Sequence, residues 1–155
     1  MSSNPVLEVL KQYIDKPFSV SPSPFTFWLK PVIREVEEGR VVFEYTVRHE
    51  MTNPLKTLHG GVTAGIVDDT IGAALYTVAD ENLYSTVNLG VDYFYPAKEE
   101  DVILAEAEVI KRGKQIVHIT CKIKNKTTGK LLAEGRANLM RLGKADYRLP
   151  EQPPA

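Results

Sequence analysis

The stretch Gly60-Gly61-Val62-Thr63-Ala64-Gly65-Ile66-Val67-Asp68-Asp69-Thr70-Ile71-Gly72-Ala73-Ala74-Leu75-Tyr76-Thr77-Val78 decides how this chain folds. Val62, Ile66, Val67, Ile71, Ala74, Leu75 and Val78 recur at helical spacing over roughly eighteen residues. Apolar side chains occupy most of the circumference, so the pattern predicts a buried helix rather than a surface one. No other segment carries a helical pattern of this length.

Beyond this helix the period changes to two. Val87, Leu89, Val91, Tyr93 and Tyr95 alternate with Asn88, Gly90, Asp92 and Phe94, as a strand requires. Residues 102–111 predict the next strand, and a turn at 111–114 around Gly113 leads into another over 116–125. There Val117, Ile119, Cys121 and Ile123 share one face, with His118, Thr120, Lys122 and Lys124 opposite. Residues 126–130 form a hairpin loop before a last strand over 131–142.

Upstream, 41–49 sets Phe43, Tyr45 and Val47 against Glu44, Thr46 and Arg48, a half-buried strand that follows a turn at Glu37-Glu38-Gly39-Arg40. Residues 25–36 are expected to be extended, and Phe25, Phe27 and Trp28 there either close a binding tunnel or, the favoured reading, pad the core. Residues 5–13 read as a short amphipathic helix. The three prolines and three serines of 16–24 make that stretch a loop. The expected fold class is α+β, with a three- or four-stranded antiparallel meander wrapped around one helix.

Composition narrows the function. The chain has 155 residues, which is one domain at roughly 100–200 residues each. Its 19 Lys plus Arg stand against 20 Asp plus Glu, a formal net charge of −1. That balance argues against a nucleic-acid binder, which shows a basic excess or stripe. A single cysteine excludes an intramolecular disulfide, and nothing points to an oxidising compartment. Residues 1–15 lack the regions of a secretory signal, and no run approaches the length of a membrane span. The expectation is a cytoplasmic protein.

Two features of the long helix carry chemistry. Gly60 and Gly61 stand at its start, where the first N–H groups have no internal partner and glycine lets a ligand approach the backbone. Such a start can polarise a carbonyl, or it can be a plain turn into a helix. Asp68 lies in the middle of the apolar run, where a carboxylate is costly unless paired or put to use. Asp69 points about 100° away, so only one of the two faces a given site. At about 1.5 Å rise per residue, Asp68 stands on the order of 12 Å from Gly60 along the axis. If both serve one site, they come from two antiparallel copies of the helix in a twofold dimer. Ala64 and Gly65, midway, would permit close approach.

The run from Asn53 through His59-Gly60-Gly61 to Asp68 resembles the signature of the hotdog-fold acyl-CoA thioesterases, in the PaaI/4-hydroxybenzoyl-CoA thioesterase branch with thioesterase superfamily member 2. The likeness continues in Ser85-Thr86-Val87-Asn88-Leu89, in Tyr93-Phe94-Tyr95-Pro96-Ala97 and in Gly129-Lys130-Leu131-Leu132-Ala133-Glu134-Gly135. The likeness covers roughly 36–143, and the expected organisation is a hotdog domain over 25–145, preceded by a helix and linker over 1–24 and followed by a flexible tail over 146–155.

The resemblance also implies roles. Gly60 N–H would polarise the thioester carbonyl. Asp68 of the partner subunit would be nucleophile or general base. Asn53 and His59 would orient the thioester or the water, although helix-start structure is an equal reading of His59. The Thr86 hydroxyl would help place the water. Lys111, Arg112, Gly113, Lys114, Gln115 and Ile116 correspond to a stretch that contacts coenzyme A, and their cations suit its phosphates. The substrate would be an acyl- or aryl-CoA, with no cofactor beyond the coenzyme A it carries. The assembly would be a homodimer, and further a dimer of dimers.

Rival readings find less support. His49, His59 and His118 show no paired ligand spacing, so no metal site is expected. His118 reads as solvated surface. Cys121 reads as core, not as a nucleophile. There is no P-loop, GxGxxG or GxSxG. Hotdog hydratases place an Asp where this chain has Pro54. A hotdog domain that binds acyl-CoA without turnover remains the alternative. Val62, Ile66, Asp69, Tyr76, Tyr84, Phe94 and Tyr95 are candidates for the acyl pocket.

Overall fold

The computed structural model describes residues 4–144. The tail expected over 146–155 lies outside the described residues. The long helix, α3, spans Gly60–Tyr76. Its side chains Ile66, Val67, Ile71, Ala74 and Leu75 are buried to 1% exposure or less. They pack on one face of a six-stranded antiparallel sheet made of β1 (Val32–Glu37), β2 (Arg40–Thr46), β3 (Asn82–Tyr93), β4 (Val102–Arg112), β5 (Ile116–Asn125) and β6 (Leu131–Lys144). The alternation read in β5 holds, with Val117, Ile119, Cys121 and Ile123 all fully buried beneath the helix. Gly135 on β6 lets the helix come close, because a Cβ there would sit 2.4 Å from Val67 Cγ1. This is a hotdog fold: a curved sheet wrapped on one central helix.

Strand order is β1-β2-β4-β5-β6-β3. The meander therefore has three strands, β4, β5 and β6. The segment after α3 does not pair with its sequence neighbour β4. It crosses to the far side of β6 and ends as an edge strand. A bulge between Thr86 and Asn88 turns Val87 out, leaving it 58% exposed.

The N-terminal segment departs from its expected form. Helix α1 covers Pro5–Gln12, capped by Asn4, whose Oδ1 accepts from Val6 N–H at 2.9 Å and Leu7 N–H at 3.1 Å. Residues 25–29, expected to be extended, together with Pro24 of the expected loop, form a second helix, α2 (Pro24–Leu29). The local reason is legible afterwards: Ser23 is an N-cap, Pro24 is pre-set for the first helical position, and Lys30 ends the turn at φ 56° before Pro31. Once helical, Phe25 and Trp28 project from the same side and remain 43% and 39% exposed, so they are not the core padding expected of them. Their rings stack at 6.0 Å, and the Arg48 guanidinium lies 5.4 Å from the Trp28 ring. Among the described residues, no helix is long and apolar enough to cross a membrane.

Candidate active site

The entry to α3 is tied down by backbone and side-chain bonds. Asn53 Oδ1 accepts from Leu55 N–H at 3.0 Å and Thr57 N–H at 3.1 Å, and Asn53 Nδ2 donates to Thr57 Oγ1 at 2.9 Å. The loop closes so that Leu58 N–H donates to Ala97 O and His59 N–H to Met51 O. His59 is the N-cap of α3, and its ring Nδ1 accepts from Gly61 N–H at 2.8 Å. That bond places the proton of the neutral ring on Nε2. It also consumes the Gly61 donor, which leaves Gly60 N–H and Val62 N–H without an intrahelical partner. Tyr93 Oη donates to Gly60 O at 2.7 Å, and its ring lies 3.6 Å from where a Gly60 Cβ would stand. The end of β3 is thus packed onto the first turn of the helix. A cavity of about 260 Å³ opens here, lined by Gly60, Thr63, Tyr93, Phe94, Tyr95 and Leu132, among others.

The middle of α3 presents two carboxylates in different settings. Asp68 is exposed, and Thr86 Oγ1 donates to its Oδ1 at 3.3 Å. Asp69 is turned inward. It accepts from Thr26 Oγ1 at 2.5 Å and from Tyr45 Oη at 2.9 Å. Tyr45 is 1% exposed, and its hydroxyl also lies 3.2 Å from Thr70 Oγ1, which donates to Ile66 O. Burial raises the Asp69 carboxyl above its ordinary range; the two hydroxyl donors pull the other way, and the charge of Asp68 adds to the rise. Burial, then the neighbouring Asp69, likewise pushes the Tyr45 phenol well up. A second cavity, of about 480 Å³, lies between α3 and the N-terminal segment, and both Asp68 and Asp69 line it.

These two places are far apart in one chain. Tyr93, on Gly60, faces Ala133 of β6, whereas Thr86, on Asp68, faces Leu139. At about 3.3 Å per residue the two positions on β3 stand on the order of 20 Å apart. The β4–β5 turn belongs to the Asp68 end: Leu139 pairs in turn with Val117, and Arg112 Nη2 donates to Asp80 Oδ2 at 2.5 Å, just past the end of α3. Lys111 and Lys114 on that turn are exposed, as are Gln115 and Ile116. Gly113 is required for the turn itself, since a Cβ would meet Ile116 O at 2.8 Å. One chain therefore groups Asn53, His59 and Gly60 at one end, and Asp68 with Thr86 toward the other, the end on which the Lys111–Lys114 turn also lies.

The family model described as "Thioesterase superfamily" matches residues 55–132, which takes in α3 and the strands that present both groups. This chain belongs to the thioesterase superfamily. Membership assigns a reaction class, thioester hydrolysis. Acyl-coenzyme A thioesterase 13 of Homo sapiens is 39% identical over 98 residues, covering 63% of this chain and 70% of that one. The structure of thioesterase superfamily member 2 from Mus musculus superposes with a TM-score of 0.72 at 32% identity, over 92% of this chain and 100% of that one. The E. coli PaaI protein gives a TM-score of 0.79 at 22% identity, over 93% and 99%, a likeness of fold.

Three residues that hold the candidate site together carry no signal of that role in the sequence. Tyr93 reads from the sequence as a strand position, and nothing local marks its bond to Gly60. An extended segment would not direct Thr26 at α3; the helix α2 does. Tyr45 counted as core, which it is, but its hydroxyl serves Asp69. Of the pocket candidates, Asp69 and Tyr76 line the larger cavity and Phe94 and Tyr95 the smaller, whereas Ile66 is fully buried in the core. His118 is half-buried and bonded through Nδ1 to Asn138 Oδ1 at 2.9 Å, rather than simply solvated. Among the described residues, no group of three or more His, Cys, Asp or Glu side chains could hold a metal ion.

Proposed function

We propose that this protein hydrolyses acyl-CoA thioesters at sites each assembled from two copies of the chain. One observation carries the reading. The polarising backbone at Gly60 and the carboxylate at Asp68 line different cavities of the same subunit. A twofold axis that sets two α3 helices antiparallel would bring the Gly60 end of one against the Asp68 stretch of the other. Thiol esters of coenzyme A fit the remaining feature, the exposed Lys111 and Lys114 on the β4–β5 turn, which suit a string of phosphates.

In this site the thioester carbonyl oxygen accepts from Gly60 N–H, where the helix start stabilises the charge that develops as the carbonyl carbon becomes tetrahedral. His59, fixed by its bond to Gly61, keeps Nε2–H as a donor toward the substrate. Asn53 has one Nδ2 hydrogen beyond the bond that shapes its loop, and it orients the thioester or the water. Asp68 of the partner subunit acts as general base or as nucleophile. In the first case it takes a proton from water held with the Thr86 hydroxyl. In the second its oxygen bonds the acyl carbon, and water then cleaves the anhydride. Either way the C–S bond breaks, the thiolate leaves and takes up a proton, and the acid is released.

Complementation tests the shared site. Asp68→Ala and Asn53→Ala homodimers should each release thiol from acyl-CoA far more slowly than the wild type. After the two are mixed through reversible unfolding, activity should return, because a mixed dimer holds one intact site. A monomer in sedimentation with full activity would overturn the shared site. Tight acyl-CoA binding with no turnover would overturn hydrolysis.

A further inference from the structure

Three glycines on or against α3 differ in what surrounds them. A Cβ on Gly65 would stand 2.6 Å from the Phe25 ring, and one on Gly135 would collide with Val67, so close packing explains both. Gly72 has nothing within 4 Å of its Cβ position. It lies inside the helix, where glycine weakens the element relative to alanine. No turn, positive φ or close approach requires it. What Gly72 does is line the cavity of about 480 Å³, one helical turn beyond Asp68 on the same side of α3.

The other walls show what this space suits. Val6 and Leu10 of α1, Phe18 of the following loop and Phe25 of α2 give it an apolar lining. The segment is pinned to α3 beside Asp68 by the Thr26–Asp69 hydrogen bond. We propose that this cavity receives the acyl group of a medium-sized apolar acyl-CoA, and that Gly72 sets its room. The proposal rests on the thioesterase reading above, and on continuity with the reacting carbon. That carbon must come within reach of Asp68 or of its water. Its oxygen turns to Gly60 of the partner subunit, and its sulfur turns to the lysines of the β4–β5 turn. The third substituent enters the largely apolar cavity that Asp68 itself lines.

Size sets the class. An apolar cavity of about 150 Å³ holds one benzene ring. A space of about 480 Å³ takes a chain of medium length or a substituted aryl group, and a short acyl group would leave most of its apolar wall against water.

The test is the ratio of kcat/KM for decanoyl-CoA over butyryl-CoA, read by release of free thiol. The wild type should favour decanoyl-CoA by at least tenfold, since one methylene in an apolar pocket is worth about tenfold or more. Gly72→Ala should lower that ratio, and Gly72→Leu should lower it by at least a further tenfold, through KM for decanoyl-CoA. Both variants should fold, because a Cβ at Gly72 meets open space, the cavity lies beside it, and alanine and leucine both favour the helix over glycine. A wild-type preference for butyryl-CoA, or a ratio unmoved in Gly72→Leu, overturns the pocket. So does an equal loss on both substrates, which would mark Gly72 as a seat for another chain. Hydrolysis of neither thioester by the wild type would instead overturn the reading on which the pocket rests.

Discussion

Asp68 and Asp69 are neighbours on one helix and share almost nothing else. The 100° between successive side chains sends Asp68 to solvent beside the Thr86 hydroxyl, and Asp69 inward to Thr26 and Tyr45. The outward carboxylate has free lone pairs and room for a reacting group. The inward one has its oxygens taken by two hydroxyls, and it joins α2, β2 and α3 at a single point. A carboxylate on an apolar helix thus has two uses, and the structure holds one of each side by side. The apolar run that surrounds them does not distinguish the two; their partners on other elements do.

Substitution should separate the two roles. Replacing Asp68 with Asn should lower kcat by roughly 10²–10⁴, the span of a lost general base, in a thiol-release assay. Its stability should stay within about 0.5 kcal/mol of wild type in denaturant unfolding, as for an exposed side chain. Replacing Asp69 with Ala should do the reverse. It leaves the buried Thr26 hydroxyl without its acceptor, while the Tyr45 hydroxyl keeps Thr70 Oγ1 within reach, so a loss of about 1–3 kcal/mol is expected, the cost of one unsatisfied buried group. The drop in kcat should be smaller than for Asp68→Asn. A stable but inactive Asp69→Ala would exchange the assignments.

The same pair shows how much of the molecule the sequence discloses. The helix start at Gly60 and the faces of β2 and β5 follow from periodicity alone, because burial on one face leaves a repeat that can be read locally. The separation of Gly60 from Asp68 also follows, from helix rise. The crossing of β3 to the far side of β6 does not, since strand order depends on pairings between distant residues. The Ser23–Pro24 cap is present in the sequence, but three prolines and three serines within 16–24 favour a loop, and a reading without α2 also loses Thr26, the partner that makes Asp69 structural. Asp68 and Asp69 could be told apart as two directions, but not assigned burial, until the elements around them were in place.

The smallest expected effect is in the pH dependence of stability, and it isolates Asp69 from every other carboxylate. Burial raises its carboxyl above the ordinary value of 3.8, so between that value and the raised one the folded chain holds a proton that the unfolded chain has released. Its contribution to stability is therefore full below the ordinary value and is lost as pH rises through the raised one. Glu44, lowered chiefly by its bond to Arg34, works in the opposite sense and loses its contribution as pH falls, so the wild-type curve alone mixes the two. The difference between wild type and Asp69→Asn removes Glu44 from the comparison. That difference, from denaturant midpoints at a series of pH values, should be largest in acid and shrink toward neutrality. A difference that grows toward neutral pH would mean that the hydroxyls of Thr26 and Tyr45 hold the ionised carboxylate more strongly than burial opposes it. Asp69 would then be a charge kept in place by its donors, and the contrast with Asp68 would be one of access rather than of burial.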